Sequence, residues 1–243
     1  MRVALHQCLS PAGDVTAAFA EIQRGLATAA AGGADLCVFP ELMLPGYNQP
    51  DSIAKTAQAA GDVWEQTCSD LARTVGCGLI LGWAERSDDT LWNAASFYDA
   101  QGQKQGHYRK QHLYGPQEKA LFKPAEGDCI FTMADRRCAL LICFDVEFNE
   151  RVRSLAANGV DVIFVPTANP AFDRDVSDIT VRARARDNCV TIVYTNFCGS
   201  EDGLDYAGTS VVAGPDGALH LRLGDQPATA IVDLPASVSI KSE

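Results

Sequence analysis

The sequence predicts an α/β protein in which mixed β-sheets carry helices on their outer faces. Short runs of consecutive apolar residues, typical of strands buried on both faces, alternate with longer segments of helical periodicity. Strand pairs joined by turn sequences interrupt this alternation and add antiparallel hairpins. The chain has 243 residues, of which 47% are apolar, and no linker-like segment divides it. We therefore expect a single domain over residues 1–243, with a short polar tail at 235–243.

The first elements are two strands around a helix. Residues 2–8 alternate as a strand does, and 36–39 form an apolar run that stops at a Pro-Glu pair. Between them, Asp14 is a suitable N-cap for a helix at 15–31, which Gly32-Gly33 ends.

A second helix and three strands are predicted next. Residues on one helical face indicate a helix at about 62–75, and these are Val63, Thr67, Leu71 and Val75. Apolar runs predict strands at 78–83 and 93–99, and a turn at 100–103 joins the second of these to a strand that runs to residue 108 and completes a hairpin. Residues 111–128 contain Gly and Pro without any period, which predicts a long loop. Loops of this length in compact domains are usually functional.

The second half repeats the alternation of strands and helices. A hairpin at 130–133 and 138–142 precedes a helix at 149–158, a buried strand at 161–165, a helix at 177–188 and a strand at 190–194. The turn Gly214-Pro-Asp-Gly217 predicts a hairpin of 209–213 with 218–223, and 228–234 is a further strand.

Composition excludes several classes of function. The net charge is −11, and no basic run is long enough to neutralise several phosphates, so neither nucleic acid nor an anionic membrane is an expected partner. No apolar stretch approaches the roughly 20 residues of a membrane span, and the N-terminal residues lack a signal-peptide pattern. Nine irregularly spaced cysteines suit reduced thiols in the cytoplasm, and neither cysteines nor histidines show metal-ligand spacing.

Three chemically complementary side chains follow three of the predicted strands. Ligands of α/β sheets bind at the carboxyl ends of strands, and these ends present Glu41, Lys110 and Cys143. A glutamate can accept a thiol proton, a lysine can stabilise an oxyanion, and a thiolate can attack a carbonyl carbon to form a thioester. Such chemistry requires neither a metal nor a cofactor.

Each of these residues also has a simpler interpretation. A lone cysteine at a strand end is more often a small buried hydrophobe, and Lys110 or Glu118 taken alone is more often a solvated charge. The order and combination of the three strand-end groups favour the catalytic interpretation.

The three segments resemble the signatures of the nitrilase superfamily of carbon-nitrogen hydrolases. They are Phe39-Pro-Glu41-Leu, Tyr108-Arg-Lys110-Gln-His-Leu and Leu141-Ile-Cys143-Phe-Asp145. The resemblance covers nearly the whole chain and implies a four-layer αββα sandwich with a Glu-Lys-Cys triad. It implies that Glu41 is the general base, Lys110 stabilises the tetrahedral intermediate and Cys143 is the nucleophile. Glu118 matches the second glutamate of the family, and the backbone N–H of Phe144 would complete the oxyanion hole.

The branch is indicated by the residues around the nucleophile. Cys143-Phe-Asp145 is closer to the Cys-Tyr-Asp of amidases than to the pattern of true nitrilases, and three later segments are similar to bacterial amidases acting on short aliphatic or amino-acid amides. Asn149 departs from the proline common in the family. The prediction is therefore an amidase acting on a small carboxamide. Hydrolysis of an N-carbamoyl compound is the alternative, and a nitrilase or a non-catalytic metabolite-binding relative is less favoured.

Further predictions concern the substrate pocket and the assembly. Tyr47, Tyr114, Asn169 and Phe172 are candidate pocket residues because they follow strand ends or lie in the long loop, although loop packing explains each equally well. A homodimer across the helices after Cys143 is implied by the resemblance. The arginines at 182, 184 and 186 fit helix salt bridges or this dimer contact better than substrate binding.

Overall fold

A computed structural model describes residues 1–236, which form two six-stranded mixed sheets flanked by helices. The helices are α1 (Val15–Ala31), α2 (Pro50–Thr56), α3 (Val63–Val75), α4 (Gly115–Leu121), α5 (Asn149–Ala157) and α6 (Val181–Asn188). The strands of the first half are β1 (Arg2–Gln7), β2 (Leu36–Val38), β3 (Gly78–Ser87), β4 (Thr90–Tyr98) and β5 (Lys104–Arg109). Those of the second half are β6 (Cys129–Met133), β7 (Arg136–Leu140), β8 (Val162–Pro166), β9 (Thr191–Thr195), β10 (Ser200–Glu201), β11 (Leu204–Asp205), β12 (Val211–Ala213), β13 (Leu219–Arg222) and β14 (Ala228–Asp233).

The two large sheets have related strand orders. Sheet 1 runs β14-β1-β2-β3-β4-β5, and sheet 2 runs β13-β12-β9-β8-β7-β6. In each sheet three neighbouring strands are parallel, β1-β2-β3 in the first and β7-β8-β9 in the second, and the remaining pairs are antiparallel. The carboxyl ends of the parallel strands therefore form one edge in each sheet, where polar side chains can meet.

The sheets pack face to face and the helices cover their outer faces. Alternate residues of β1 and β2 divide between two clusters, since Val3 and Leu5 face sheet 2 whereas Ala4 and Cys37 face α1 and α3. On the far side, α5 and α6 cover sheet 2. Because the side chains of a strand alternate between its faces, both faces of each sheet are buried. The predicted four-layer αββα sandwich is confirmed.

Most predicted elements are present, and α1 shows why. The side chain of Asp14 accepts a hydrogen bond from the backbone N–H of Ala17 at 2.9 Å, as an N-cap does, and Gly32 follows the helix. Ile22 and Leu26 of this helix are fully buried against sheet 1. The predicted tail at 235–243 lies largely outside the described residues.

Three local features differ from the predictions. The face assigned to α3 is only partly correct, since Leu71 and Val75 pack against the core, whereas Val63 is 63% exposed and Trp64, Cys68 and Ala72 are buried. The ring of Trp64, one position from Val63, packs on the sheet together with the small side chains of Cys68 and Ala72. The segment predicted as a continuous loop after residue 110 contains α4, and α2 was not predicted at all. Both are seven-residue helices that begin with Pro at their first turn, and helices this short depend on tertiary contacts for stability.

Within residues 1–236, no helix has both the length and the apolar character needed to cross a bilayer.

Candidate active site

The turn after β2 places Glu41 between the two sheets. The backbone N–H of Glu41 donates to the carbonyl of Thr167, which follows β8 of sheet 2, at 3.3 Å. On the other side, β3 passes so close that a Cβ at Gly82 would lie 2.4 Å from the backbone nitrogen of Leu42. Only glycine fits at position 82 without a backbone shift, because real side chains do not tolerate that contact. Glu41 is therefore held by the backbone of both sheets and is fully buried.

Lys110, which directly follows β5, is the cation at the centre of the site. Its Nζ donates to Oε1 of Glu41 at 2.7 Å and to Oε1 of Glu118 at 2.8 Å. Two hydrogen bonds fix the backbone of Lys110. Its N–H donates to Asn93 O at 2.8 Å, and its carbonyl accepts from Ala125 N at 3.0 Å. The side chain of Lys110 is fully buried, so both carboxylates are needed to offset its desolvation.

The helix α4 supplies the second carboxylate. Glu118 is buried and accepts hydrogen bonds from the Tyr47 hydroxyl at 2.7 Å and from the backbone N–H of Tyr114 at 3.0 Å. The structure thus brings Glu41, Lys110 and Glu118 together as the sequence predicts. It also gives Tyr47 a contact that the sequence could not indicate, because Tyr47 is distant from Glu118 along the chain.

The carboxylate of Glu41 has one occupied and one open oxygen. Its Oε1 accepts from Lys110 and from the side-chain amide of Asn93, the latter at 2.7 Å, whereas Oε2 has no hydrogen-bond partner among the described residues. An unpartnered buried carboxylate oxygen is costly unless another group uses it. This oxygen can accept a proton from a neighbouring group.

Cys143 lies at a sharp bend between β7 and a 3₁₀ turn, Cys143–Glu147. Its φ angle is +43°, a left-handed conformation that costs a non-glycine residue energy and is concentrated at functional sites. The side chain is 8% exposed, and the backbone of Ala168 acts to lower the pKa of its thiol. The bend therefore presents the thiol at the carboxyl edge of sheet 2.

Asp145 braces this bend, a role that the sequence did not reveal although Asp145 lies within the motif. Its carboxylate accepts from the backbone N–H of Ile142 at 3.2 Å and from the Tyr108 hydroxyl at 2.9 Å. It also accepts from the backbone N–H of His112 at 2.8 Å. Asp145 thereby links the bend carrying Cys143 to the segments on either side of Lys110.

The electrostatics of the cluster assign a protonation state to each group. Burial raises the pKa of Glu41 to about 7, against the lowering effect of Lys110, and the charge of Glu118 adds to the rise. Burial lowers the pKa of Lys110, but the charges of Glu118 and Glu41 outweigh it and raise that pKa well above its usual value. Burial and the charge of Glu41 raise the pKa of Cys143 well above normal, although Lys110 opposes them. The resting site therefore holds a neutral thiol, an ammonium and a carboxylate that titrates near neutrality.

The remaining predicted pocket residues differ in their surroundings. The ring of Phe144 is half-buried and packs edge-on against Tyr114, with centroids 5.2 Å apart. Asn169 is buried and uses its side-chain amide within the chain, donating to Asp173 O at 2.8 Å. Phe172 is 80% exposed. Contact of these residues with a substrate stays a prediction.

One group of potential metal ligands occurs among the described residues, away from this cluster. The ligand atoms of His6, Cys8 and Glu21 lie within 4.8 Å of one another. Both ring nitrogens of His6 are already engaged, Nδ1 with the Thr229 hydroxyl at 2.7 Å and Nε2 with Glu21 at 2.6 Å. These contacts make the group a hydrogen-bonded polar contact between α1 and sheet 1, because a metal would have to displace one of them.

Comparison with known proteins places this chain in a family. The model of the carbon-nitrogen hydrolase family matches residues 2–240. A relative described as "Hydrolase in pqqF 5'region", from Pseudomonas protegens, is 38% identical over 90% of this chain and 77% of its own length. An (R)-stereoselective amidase from a Pseudomonas species is 32% identical over 96% of this chain and 85% of its own length.

A solved structure shows the same architecture. It is a mutant of the amidase from Nesterenkonia sp. AN1, in which acrylamide has added to the active-site cysteine. The two chains are 36% identical and superpose with a TM-score of 0.92, over 97% of this chain and 93% of that one. The chain described here belongs to the carbon-nitrogen hydrolase family, and within it to the amidase-like branch of the nitrilase superfamily.

Proposed function

We propose that this protein is a cysteine-dependent amidase that hydrolyses a small primary carboxamide to a carboxylate and ammonia. The observation that supports this proposal most strongly is the buried cluster of Lys110 with two carboxylates beside the thiol of Cys143. Such a cluster combines a nucleophile, a base of matched pKa and a fixed positive charge, which together are the requirements of acyl transfer.

In the first half-reaction, Glu41 removes the proton of the Cys143 thiol while the sulfur attacks the amide carbon. The resulting tetrahedral intermediate carries a negative charge on oxygen, which Lys110 and the backbone N–H of Phe144 stabilise. Glu41 then gives its proton to the nitrogen, the carbon-nitrogen bond breaks, and ammonia leaves. A thioester on Cys143 remains.

In the second half-reaction, Glu41 removes a proton from water, and the hydroxide formed adds to the thioester carbonyl. Collapse of this second intermediate breaks the carbon-sulfur bond, and the proton held by Glu41 returns to the sulfur. The carboxylic acid formed loses its proton to water and leaves as the carboxylate. A pKa of about 7 suits Glu41 for both directions of proton transfer.

Glu118 acts through Lys110 in this proposal. Its carboxylate, held by Tyr47, keeps the ammonium of Lys110 charged and fixes its position. Glu118 is thus a positioning residue, whereas Glu41, Lys110 and Cys143 act on the reacting atoms.

The test is ammonia release from short aliphatic amides, amino-acid amides, ω-amides, N-carbamoyl compounds and nitriles. We expect release from one or more carboxamides, and none from the Cys143→Ala variant. Cys189→Ala is the matched control, because Cys189 is half-exposed at the end of α6 and is expected to retain activity. The mass of the intact protein, measured after a rapid acid quench during turnover, should be increased by that of the acyl group.

Turnover of carboxamides that survives Cys143→Ala would contradict the proposal. Release of ammonia from N-carbamoyl compounds alone would instead support the alternative, a carbamoyl hydrolase that uses the same groups.

We also propose a single carbon-nitrogen hydrolase domain that forms a homodimer in the cytoplasm. The family match over residues 2–240 supports the domain assignment. Exposed apolar side chains near α6, Phe172 and Ile179, support a subunit contact on that side of the molecule. Free cysteines at all nine positions suit a reducing compartment.

A further inference from the structure

The hairpin of β10 and β11 carries a buried carboxyl group, that of Glu201, which the proposed reaction does not use. Glu201 is 2% exposed, and within residues 1–236 no lysine, arginine or histidine forms an ion pair with it. Its Oε2 accepts hydrogen bonds from the backbone N–H of Asn48 at 3.0 Å and from the hydroxyl of Tyr206. Its Oε1 has no hydrogen-bond partner among the same residues. A buried carboxyl group in such surroundings costs free energy, which its contacts must offset.

The contacts of Glu201 fix both chain neighbours of Tyr47. Gly46 precedes Tyr47 with a φ of +130°, and a Cβ at this position would lie 2.6 Å from Oε1 of Glu201. Asn48 follows Tyr47, and in addition to its backbone bond it donates through Nδ2 to the carbonyl of Glu201 at 3.1 Å. The carboxyl group therefore lies against the backbone on one side of Tyr47 and binds it on the other.

The ring of Tyr47 is held through the same carboxyl group. Tyr206, whose hydroxyl donates to Glu201, packs its ring edge-on against that of Tyr47, with centroids 6.5 Å apart. The backbone N–H of Tyr206 donates to Gly199 O at 2.8 Å, which anchors this ring beside the hairpin. Glu201 thus restrains both the backbone and the ring of Tyr47.

A cavity lies on another side of Tyr47. It has a volume of about 300 Å³ and separates Tyr47 and Asn48 from the first turn of α4, and residues 202–204 of the hairpin also line it. Protein interiors are usually packed without such voids, so this side of the loop is less restrained by packing. The position of Tyr47 therefore depends on its polar connections to the hairpin.

Tyr47 connects these contacts to the reacting groups. Its hydroxyl donates to Oε1 of Glu118 at 2.7 Å, and the same oxygen accepts from Nζ of Lys110 at 2.8 Å. The groups of a buried hydrogen-bond network orient one another, so loss of the phenol donor would let the carboxylate rotate and release the ammonium from its position. A continuous series of contacts therefore runs from Glu201 through Tyr47 to the cluster around Lys110.

We propose that Glu201 is a positioning residue for the amidase reaction. It holds the Tyr47 hydroxyl on Glu118, and that carboxylate keeps the central ammonium where the oxyanion forms. This inference rests on the proposed function. It predicts that Glu201 affects the rate of hydrolysis only while the hydroxyl of Tyr47 is present.

The experiment is a double-mutant cycle measured on an amide that the wild type hydrolyses. Glu201→Gln keeps the size of the side chain but replaces one oxygen with an NH₂ group, which must face either the two donors or the backbone of Gly46. It should lower kcat by about fivefold or more with little change in KM, and Tyr47→Phe should lower kcat at least as much. In the Tyr47→Phe background, Glu201→Gln should lower kcat by less than about twofold.

Two further variants complete the test. Tyr206→Phe removes a donor to Glu201 but keeps the ring against Tyr47, and its effect on kcat should also disappear in the Tyr47→Phe background. This variant supplies the answer if Glu201→Gln does not fold. Asp205→Asn is the matched control, because Asp205 is exposed on the same hairpin and should leave kcat unchanged. Thermal unfolding of each variant verifies that it is folded.

The outcomes separate the two proposals. If no amide releases ammonia in a manner that depends on Cys143, the proposed function fails and this inference fails with it. Full kcat in both Glu201→Gln and Tyr206→Phe would leave the amidase function intact and overturn the inference. A loss of kcat that is equally large with and without the Tyr47 hydroxyl would also overturn it, because Glu201 would then stabilise the fold without acting through Tyr47.

Discussion

Adjacent residues at the end of β5 enter two ionic clusters with opposite properties. Arg109 binds Glu85 through Nε at 2.9 Å and Nη2 at 2.5 Å, and its guanidinium lies over the ring of Trp92. Lys110, on the other face of the strand, binds Glu41 and Glu118. The side chain of Arg109 is 31% exposed, whereas that of Lys110 is fully buried.

The carboxylates of the two clusters shift in opposite directions. Burial raises the pKa of Glu85, but hydrogen bonds from Arg109 and His107 outweigh it and lower that pKa to about 2. Glu41 shares its one cation with Glu118 and has a pKa of about 7. The number of cations for each carboxylate, together with burial, therefore separates a carboxylate that stays charged from one that can exchange protons.

The two clusters should differ most in stability and activity when the cation of each, Lys110 or Arg109, is removed. Lys110→Met leaves two buried carboxylates without a cation, which should lower the free energy of unfolding by about 3–5 kcal/mol and reduce kcat/KM by about 10³-fold or more. Arg109→Met acts on a partly exposed pair, so we expect a loss of about 1–2 kcal/mol with activity retained. Urea unfolding and steady-state kinetics of both variants provide the measurement. Equal losses of stability would show that the two clusters do not differ as described.

A smaller difference is expected when the carboxylates are neutralised. Glu41→Gln should reduce kcat/KM by about 10²-fold or more, because the general base is lost, and should lower the free energy of unfolding by less than Lys110→Met does, because Glu118 still pairs with Lys110. Glu85→Gln should leave kcat/KM unchanged and lower the free energy of unfolding by about 1 kcal/mol. Full activity in Glu41→Gln would show that Glu41 is not the general base.

The smallest effects are those of pH. Because Glu41 must be deprotonated to accept the thiol proton, kcat/KM should fall as pH drops below about 7. Asn93 stabilises the charged form of Glu41. In Asn93→Ala, the fall of kcat/KM on acidification should therefore begin at higher pH. If the fall of kcat/KM in the variant begins at the same or a lower pH, Glu41 is not the group whose titration causes it.

Glu85 serves as the internal control for pH, because its lowered pKa links to stability and not to rate. Its contribution to folding is present above its ordinary pKa of 4.5 and should be lost as pH falls from there to about 2. The stability difference between the wild type and Glu85→Gln, measured by thermal unfolding, should shrink across that range.

The sequence predicted the three strand-end groups because Glu41 and Cys143 each follow an apolar run that identifies a buried strand, and Lys110 follows the second strand of a predicted hairpin. Glu41, Lys110 and Cys143 need only that rule and the convergence of strand ends to be placed together. The alternation of apolar runs with helical segments also predicted the architecture, because nearly every predicted strand and helix is present in the structure.

The contacts that tune the site could not be predicted in this way. Asn93 reaches Glu41, Tyr47 reaches Glu118 and Asp145 reaches His112 only after distant segments have packed. Periodicity carries no information about such polar contacts. The buried face of α3 was predicted only in part for a related reason, because the choice between two overlapping apolar stripes depends on the shape of the sheet surface beneath them.

The pairing of β1 with β14 has a consequence for how the protein is made. Residues 2–7 pair on one side with residues 228–233, whereas the strands of sheet 2 all lie between residues 129 and 222. During synthesis on the ribosome, sheet 2 can assemble while one edge of β1 still lacks its neighbour. An apolar strand with an open edge is a template for association with other chains. The nascent protein therefore carries an aggregation hazard in its earliest strand until residue 233 has emerged.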